Sequence, residues 1–282
     1  MTSMDGDRQA QDRYVTVDGL HLRVIEAGQG PAVLFLHGAS LGSSADVFRR
    51  NLPAFARAGF RAIAFDAPGF GRSDVPADHS LAYRRALVPK LMDALGVKTA
   101  ALVGHSQAGT VAVALALQHP SRISHVIVLG TGSLLPPLPG SPPRPERNVP
   151  DREPQIADTR AALEATLVHR ELATDEDVAL RHGFCTGAQF AAAVARAAAK
   201  EPPEGPPLWQ RLTTLSVPLL MIYGRQDRAQ AAERAALLKE TYPQLDLRLV
   251  DKCHHLVPWD AADEFARLAV EFLNRSSPLR GA

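Results

Sequence analysis

The stretch ALVGHSQAGT, residues 101–110, places a serine between two apolar segments. The apolar run up to Gly104 predicts a buried strand and residues 107–118 predict a helix, so Ser106 falls at the turn between them. A sharp turn leaves no room for large side chains two residues before or after the serine, which agrees with Gly104 and Ala108. Ser106 is therefore either a nucleophile held at a helix N-terminus or simply the residue that caps the helix.

Composition excludes several classes of partner. The 282 residues include 31 basic and 30 acidic side chains that are interspersed along the chain, with a formal charge of +1, which argues against nucleic acid or an anionic membrane. Cys185 and Cys253 have no metal-type spacing and favour a reduced compartment, with a disulfide as the alternative. Residues 1–13 lack the apolar core of a signal peptide, and no apolar run is long enough to span a membrane, so a cytoplasmic protein is expected.

Strand-like and helix-like segments alternate along most of the chain. YVTVDGLHLRVIEAG, residues 14–28, predicts a hairpin that turns at Asp18-Gly19, and AVLFLHG, residues 32–38, predicts a buried strand. Further strands are predicted at 61–66, 100–104, 124–130, 217–224 and 245–251, and helices at 48–58, 81–95, 107–118 and 261–274. Buried strands separated by helices indicate an α/β fold, with a mostly parallel sheet covered by helices on both faces.

Two proline-rich clusters interrupt this alternation. Residues 136–154 hold eight of the 22 prolines and residues 201–207 hold four more, with helical sequence rich in Ala and Arg between them. Proline breaks helix interiors and central strands, so the clusters predict hinges around a helical insertion. We therefore expect a first core part at 1–131, a helical cap at 132–215 and a second core part at 216–282.

Two further polar segments follow the late strands. GRQDRA, residues 224–229, places Asp227 at the carboxyl end of a strand, where sites form in open α/β sheets. DKCHHLVPWDAADEF, residues 251–265, offers His254 and His255 after the next strand. Each residue has an ordinary alternative, because a loop carboxylate is often only solvated and a histidine before a helix often only packs. The order Ser, Asp, His nevertheless favours a catalytic triad.

These segments together resemble the α/β-hydrolase superfamily over nearly the whole chain. The resemblance is carried by LFLHGAS (34–40), FDAPGFGRSD (65–74), GHSQAG (104–109), GRQD (224–227) and the histidine-containing segment. It implies a triad of Ser106, Asp227 and His255. The family places its histidine five residues before an acidic residue that opens the last helix, and counting back from Asp260 selects His255. His254 is then a packing or solvent-facing residue.

The resemblance also implies the rest of the catalytic apparatus. The backbone N–H groups of Ala39 and Gln107 are expected to form the oxyanion hole. Asp66 belongs to a turn that is architectural in the family, and no metal or organic cofactor is implied. A serine rather than an aspartate at position 106 disfavours haloalkane dehalogenase and epoxide hydrolase chemistry.

Two segments are similar to one branch of the superfamily, the carbon–carbon bond hydrolases that act on meta-cleavage products of aromatic or steroid rings. These segments are LVHRELATDEDVALRH (167–182) and KCHHLVPWDAADEF (252–265). The resemblance implies that Arg181 binds the carboxylate or dienolate end of a small-molecule substrate, and that the protein forms a homodimer or higher homo-oligomer. The alternative is that Arg181 is only a solvated residue of a cap helix. The candidate substrate contacts are Ser40, His105, Arg181 and Leu256.

Departures from that branch leave other activities open. His105 stands where those enzymes usually have asparagine, and Leu256 stands where they usually have an aromatic residue. The same machinery would cleave an ester or a lactone, so a carboxylesterase or lactonase is the alternative. A haloperoxidase-like perhydrolase and a non-catalytic ligand-binding protein of the same fold are further alternatives.

Overall fold

The structure is a computed structural model that describes residues 10–141, 149–199 and 205–275 of the 282-residue chain. Its strands are β1 Gln11–Val17, β2 Leu20–Ala27, β3 Ala32–Leu36, β4 Arg61–Phe65, β5 Ala100–His105, β6 Ile123–Leu129, β7 Leu219–Gly224 and β8 Asp246–Val250. They form one sheet in the order β1-β2-β4-β3-β5-β6-β7-β8. β2 pairs antiparallel with β1 and with β4, whereas β3 to β8 run parallel. The predicted α/β fold with a mostly parallel sheet is confirmed.

The hairpin and the central strands form where the sequence predicts them. Asp18 and Gly19 both have positive φ, at 51° and 79°, as a tight turn of the type that joins twisted strands requires. β5 and β7 are buried at every position because they lie in the middle of the sheet with helices on both faces. Their unbroken apolar sequence is the consequence of this double burial.

Helices cover both faces of the sheet. They are α1 Leu52–Arg57, α2 Leu81–Ala94, α3 Gln107–Gln118, α4 Ile156–Glu164, α5 Asp175–Gly183, α6 Gly187–Ala198, α7 Ala231–Thr241, α8 Val257–Asp260 and α9 Ala262–Arg275. On one face α2, α3 and α7 bury Leu91, Val113 and Leu238, and on the other α1 and α9 bury Phe55 and Phe265. In the three described ranges no helix has the length and apolar composition that crossing a bilayer requires.

Three predicted helices have different bounds in the structure, and α2 differs only in ending one residue early, at Ala94. The segment 48–58 is helical only over Leu52–Arg57, after a separate 3-10 turn at Ala45–Phe48. Pro53 lies in the first turn of α1, the place in a helix where the missing N–H of proline does no harm. The predicted last helix, 261–274, begins at Ala262, because Ala261 leaves helical geometry with φ −135° and ψ 44°. Asp260 therefore ends α8 and does not open the last helix.

Between β6 and β7 the described residues form helices and turns and no strand. We call residues 149–199, which contain α4, α5 and α6, the cap. An apolar cluster joins the cap to the core; its buried members are Leu163, Leu167, Ala173, Val178 and Leu256. Parts of both proline clusters, residues 142–148 and 201–204, lie outside the described residues, and the expected boundaries at 132 and 215 stay a prediction. Cys185 and Cys253 are buried free thiols, so the disulfide alternative is wrong.

Asp66 is a buried structural carboxylate. It is fully shielded from solvent and accepts the N–H groups of Ala45 at 2.6 Å and Arg72 at 2.8 Å. The buried Arg23 guanidinium lies 3.2 Å from the same carboxylate. Burial raises the pKa of Asp66, although Arg23 opposes the shift. These contacts fasten the loops that contain Ala45 and Arg72 to β2, in agreement with an architectural role of Asp66.

Candidate active site

Ser106 lies between β5 and α3 with a positive φ of 56° and a ψ of −126°, a sparsely populated backbone conformation. Such a conformation is strained for a residue with a Cβ atom and persists only where neighbours enforce it. The N–H of Ser106 donates to the Leu129 carbonyl at 2.8 Å, and its own carbonyl accepts the Thr131 hydroxyl at 2.7 Å. These bonds to the end of β6 hold the turn in place.

The small residues around Ser106 have a steric cause. A Cβ atom on Gly104 would lie 2.5 Å from the Ala108 carbonyl oxygen and 2.7 Å from the Gly109 Cα. Both are backbone atoms that cannot move without unwinding the start of α3. The turn therefore depends on glycine at position 104.

The structure brings together the three residues predicted as a triad. His255 Nε2 lies 3.1 Å from Ser106 Oγ, and His255 Nδ1 lies 3.1 and 3.2 Å from the two carboxylate oxygens of Asp227. All three residues are buried. The carboxylate favours the tautomer with hydrogen on Nδ1, which leaves Nε2 free to accept the serine hydroxyl. This arrangement can take a proton from Ser106 and stabilise the imidazolium that forms.

The other candidate histidine, His254, has a different contact. Its Nδ1 accepts the backbone N–H of His255 at 2.7 Å, so the ring faces its own neighbour and does not reach the serine. Burial lowers the pKa of His254, which keeps the ring neutral and able to accept. Of the two adjacent histidines, His255 is the one placed at Ser106.

His105 supports the same loop from the core side. Its Nε2 donates to the backbone carbonyl of His255 at 3.0 Å, and the two ring centroids lie 5.0 Å apart. Burial lowers the pKa of His105 to about 3, so the ring is neutral at ordinary pH. His105 thus contacts the backbone of His255. It was predicted as a substrate-binding residue, and this contact was not expected.

The expected oxyanion donors flank the serine. Gln107 begins α3, so its N–H belongs to the unpaired first turn of a helix, where negative charge is favoured. Ala39 follows the His37-Gly38 turn after β3, and a Cβ on Gly38 would lie 3.1 Å from Ser106 Cβ, which shows how closely this turn approaches the serine. The Ala39 and Gln107 backbones therefore border the same side chain.

His37, which sequence reasoning left without a role, holds that turn. Its Nδ1 donates to the Gly38 carbonyl at 2.6 Å, and its Nε2 accepts the N–H of Ala67 at 3.0 Å. Burial lowers the pKa of His37 to about 4, so both contacts persist with a neutral ring. The only signal in the sequence is a histidine where a buried apolar strand ends.

The remaining predicted residues lie at the boundary of cap and core. Arg181 on α5 donates to the Leu41 carbonyl at 2.9 Å and pairs with no carboxylate of the described residues, and burial lowers its pKa. A cavity of about 30 Å³ lies here, bordered by Arg181 and Leu256. Leu256 is buried in the apolar cluster, whereas Ser40 is exposed, with its carbonyl accepting the Ser43 N–H at 3.0 Å. The Arg181 guanidinium therefore has N–H donors that no carboxylate of the described residues accepts.

Comparison with known proteins identifies the family to which this chain belongs. Residues 31–262 match the family model described as the alpha/beta hydrolase fold. The chain belongs to the α/β-hydrolase family. This confirms the resemblance drawn from the sequence motifs.

Several relatives of this α/β-hydrolase have named activities. It is 31% identical, over 284 residues, to the 2-hydroxy-6-oxononadienedioate/2-hydroxy-6-oxononatrienedioate hydrolase of Burkholderia vietnamiensis, with 94% of this chain and 96% of the relative covered. It is also 31% identical, over 276 residues, to the 2-hydroxy-6-oxo-6-phenylhexa-2,4-dienoate hydrolase of Burkholderia cepacia, with 93% and 96% covered. Among solved structures, the meta-cleavage product hydrolase of Pseudomonas fluorescens IP01 superimposes with a TM-score of 0.75 at 25% identity, covering 94% of this chain and 98% of that one.

Proposed function

We propose that this α/β-hydrolase is a cofactor-independent serine hydrolase that cleaves the carbon–carbon bond of a 2-hydroxy-6-oxo-dienoate. The observation that carries the proposal is the continuous chain of contacts from Asp227 through His255 to Ser106 Oγ, with distances of 3.1 Å on either side of the imidazole. The substrate class is supported by the relatives, which are hydrolases of such dienoates.

The first half of the reaction uses the three buried side chains. His255 Nε2 takes the hydroxyl proton as Ser106 Oγ attacks the C6 carbonyl carbon, and Asp227 stabilises the resulting imidazolium. The negative charge on the carbonyl oxygen is received by the N–H groups of Ala39 and Gln107, each worth about 3 to 4 kcal/mol where such a donor has been removed. These groups are fixed before the reaction, so little reorganisation is needed.

The second half releases two acids. The substrate reacts as its keto tautomer, in which the enol proton has moved to C5 and C2 is a carbonyl. The C5–C6 bond then breaks, its electron pair delocalises onto the C2 oxygen of the departing dienolate, and the His255 imidazolium protonates that oxygen. Arg181 would bind the carboxylate of this fragment, where a guanidinium can offer two parallel hydrogen bonds. Water, deprotonated by His255, then attacks the ester formed with Ser106 and restores the free serine.

A carboxylesterase or lactonase is the second candidate. The observation in its favour is that His105 and Leu256, at two positions where the sequence departs from the carbon–carbon hydrolases, turn to the His255 carbonyl and to the apolar cluster. These two side chains therefore differ, in both type and direction, from the asparagine and the aromatic residue that a dienoate would be expected to meet at these positions. The triad itself acts on either bond.

Labelling by a fluorophosphonate tests the nucleophile. We expect covalent modification of the wild-type protein and none of Ser106→Ala, because only an activated serine reacts rapidly with this phosphorus electrophile. Mass spectrometry of the intact protein gives the readout. An unlabelled wild type would instead favour the non-catalytic ligand-binding alternative.

Paired turnover assays test the bond class. We expect higher kcat/KM for a chromophoric 2-hydroxy-6-oxo-dienoate than for any p-nitrophenyl ester of a graded series. Arg181→Met should lower kcat/KM for the dienoate by about 10- to 150-fold, because a charge-assisted hydrogen bond of about 1.5 to 3 kcal/mol is lost, and should leave the ester little changed. Arg170→Met, at an exposed cap position, is the matched control. Turnover of esters alone would support the second candidate.

A further inference from the structure

The two residues on either side of His255 are both held by hydrogen bonds from outside the base loop, Leu256 by the cap and His254 by α8. The N–H of Leu256 donates to the Thr166 carbonyl at 3.1 Å. The N–H of His254 donates to a carboxylate oxygen of Asp260 at 2.8 Å. Through these bonds the backbone before and after His255 is fixed from outside its own loop.

Asp260 extends the connection into the cap. Its carboxylate also accepts the N–H groups of Val168 and His169, each at 3.0 Å for the nearer oxygen. A single carboxylate thus accepts three backbone donors, two from the cap and one from the residue before the base. Because a charged oxygen accepts such hydrogen bonds more strongly than a neutral one, this carboxylate holds the cap and the base loop together.

Apolar packing supports the same connection. Leu256 is buried against Leu163 and Leu167 of the cap, which precede and follow Thr166. Displacing residues 166–169 would therefore pull on both neighbours of His255 at once. The hydrogen bond of 3.1 Å between His255 Nε2 and Ser106 Oγ depends on the position of this backbone, and a displacement of about 0.5 Å away from the serine would lengthen it beyond the usual range.

We propose that Asp260 is a positioning residue that couples seating of the cap to alignment of His255 with Ser106. The inference rests on the proposed function, because it requires His255 to act as the base. Asp260 does not itself contact Ser106 or Asp227; it acts through the backbone of His254. With the cap seated, the base is aligned. With the cap displaced, the base loses its bond to the nucleophile, so hydrolysis is confined to the closed enzyme.

Asp260→Asn tests the coupling in the full-length protein. The amide keeps the shape but presents an NH2 group toward at least one of the N–H donors, so the junction loosens. We expect kcat for the preferred substrate and the rate of fluorophosphonate labelling to fall 10- to 100-fold, with KM within threefold of the wild type. Asp260→Glu, which keeps the carboxylate, should recover part of the loss. Asp263→Asn, an exposed carboxylate three residues further on, should behave as the wild type.

A second variant separates positioning from a general loss of structure. Val168→Pro removes one cap donor to Asp260, and the Val168 side chain itself is 40% exposed. We expect a smaller fall in kcat with an unchanged melting temperature. Wild-type kcat and labelling in folded Asp260→Asn or Val168→Pro would overturn the coupling while leaving the triad in place. A wild-type protein that resists labelling would instead overturn the proposed function.

Discussion

Ser106 combines a strained backbone with a precise position for its hydroxyl. Residues held in sparsely populated backbone regions cost about 1 to 3 kcal/mol and need surroundings that enforce them. Here the bonds to Leu129 and Thr131 supply that enforcement from β6, the strand next to β5. The strain places Oγ above the end of the sheet, within 3.1 Å of His255, and leaves the N–H of Gln107 pointing away from the helix.

Gly104→Ala should disrupt this turn. The added methyl group would lie 2.5 Å from the Ala108 carbonyl oxygen, so we expect the free energy of unfolding to fall by about 3 kcal/mol and serine labelling to be lost. Urea denaturation and fluorophosphonate labelling give the two readouts. Gly183→Ala is the matched control, because a Cβ there meets nothing within 4 Å and alanine is favoured in a helix. Wild-type stability of Gly104→Ala would contradict the steric argument.

At the scale of elements, strands were easier to predict than short helices. Every predicted strand is present, because burial on both faces produces an apolar run that stands out. The short α1 fills only part of the predicted helix 48–58, α8 was not predicted as a separate helix and α7 was not predicted at all. These helices have six, four and eleven residues, and such short segments carry less periodic signal. Pro53 lies in the first turn of α1, and Ala261 ends α8.

The candidate site was predictable to the extent that its residues follow strands. Ser106, Asp227 and His255 each come after a strand of the parallel sheet, and such ends converge at one edge. The bonds of His37 and His105 to backbone groups depend on ring orientation and loop path, which no local pattern encodes. For the same reason, the position of Asp260 in the sequence only helped to select His255 over His254. In the structure its carboxylate accepts three backbone N–H groups.

Arg50 is a tether between the core and the cap. Its guanidinium lies 2.5 Å from the Asp177 carboxylate and 4.3 Å from the centre of the Trp259 ring. Arg50→Ala should lower the free energy of local opening of α5 by about 1 to 2 kcal/mol. Amide hydrogens in α5 should then exchange about 5- to 30-fold faster. Exchange mass spectrometry of the 175–183 segment measures it. Arg57→Ala, exposed on α1, is the control, and equal exchange in both variants would contradict the tether.

Across the whole molecule, the sheet order explains how distant residues meet. β5 and β7 lie on either side of β6, and β8 lies beside β7. Ser106, Asp227 and His255 therefore leave the same edge of the sheet although up to 149 positions separate them. The cap enters the chain between β6 and β7, which places it over this edge. The core supplies the three side chains of the proposed triad. The cap supplies Arg181, which we propose binds a carboxylate, together with the backbone partners of Leu256 and Asp260.

Two buried neutral histidines make the stability of the whole fold depend on pH. Burial lowers the pKa of His37 to about 4 and that of His105 to about 3, whereas an unfolded histidine titrates near about 6.5. Through these two histidines alone, the unfolded chain binds up to two more protons than the native protein between about pH 4 and 6.5, so their contribution to the free energy of unfolding falls as pH falls. The raised pKa of Asp66 acts in the opposite sense, and the lowered pKa of His254 acts in the same sense. Carboxylates with a lowered pKa, such as Asp46 with a pKa of about 2, reduce the free energy of unfolding only below about pH 4.

Denaturant unfolding between pH 7 and 5 measures this dependence. We expect the free energy of unfolding to drop by about 2 to 4 kcal/mol over that interval, since each proton contributes up to about 1.4 kcal/mol per pH unit. His105→Gln keeps a donor for the His255 carbonyl but cannot titrate, so its slope should be about half that of the wild type. His21→Gln, at an exposed position, should keep the full slope. An unchanged slope in His105→Gln would mean that His105 is protonated in the native protein and cannot act as the neutral support of the base.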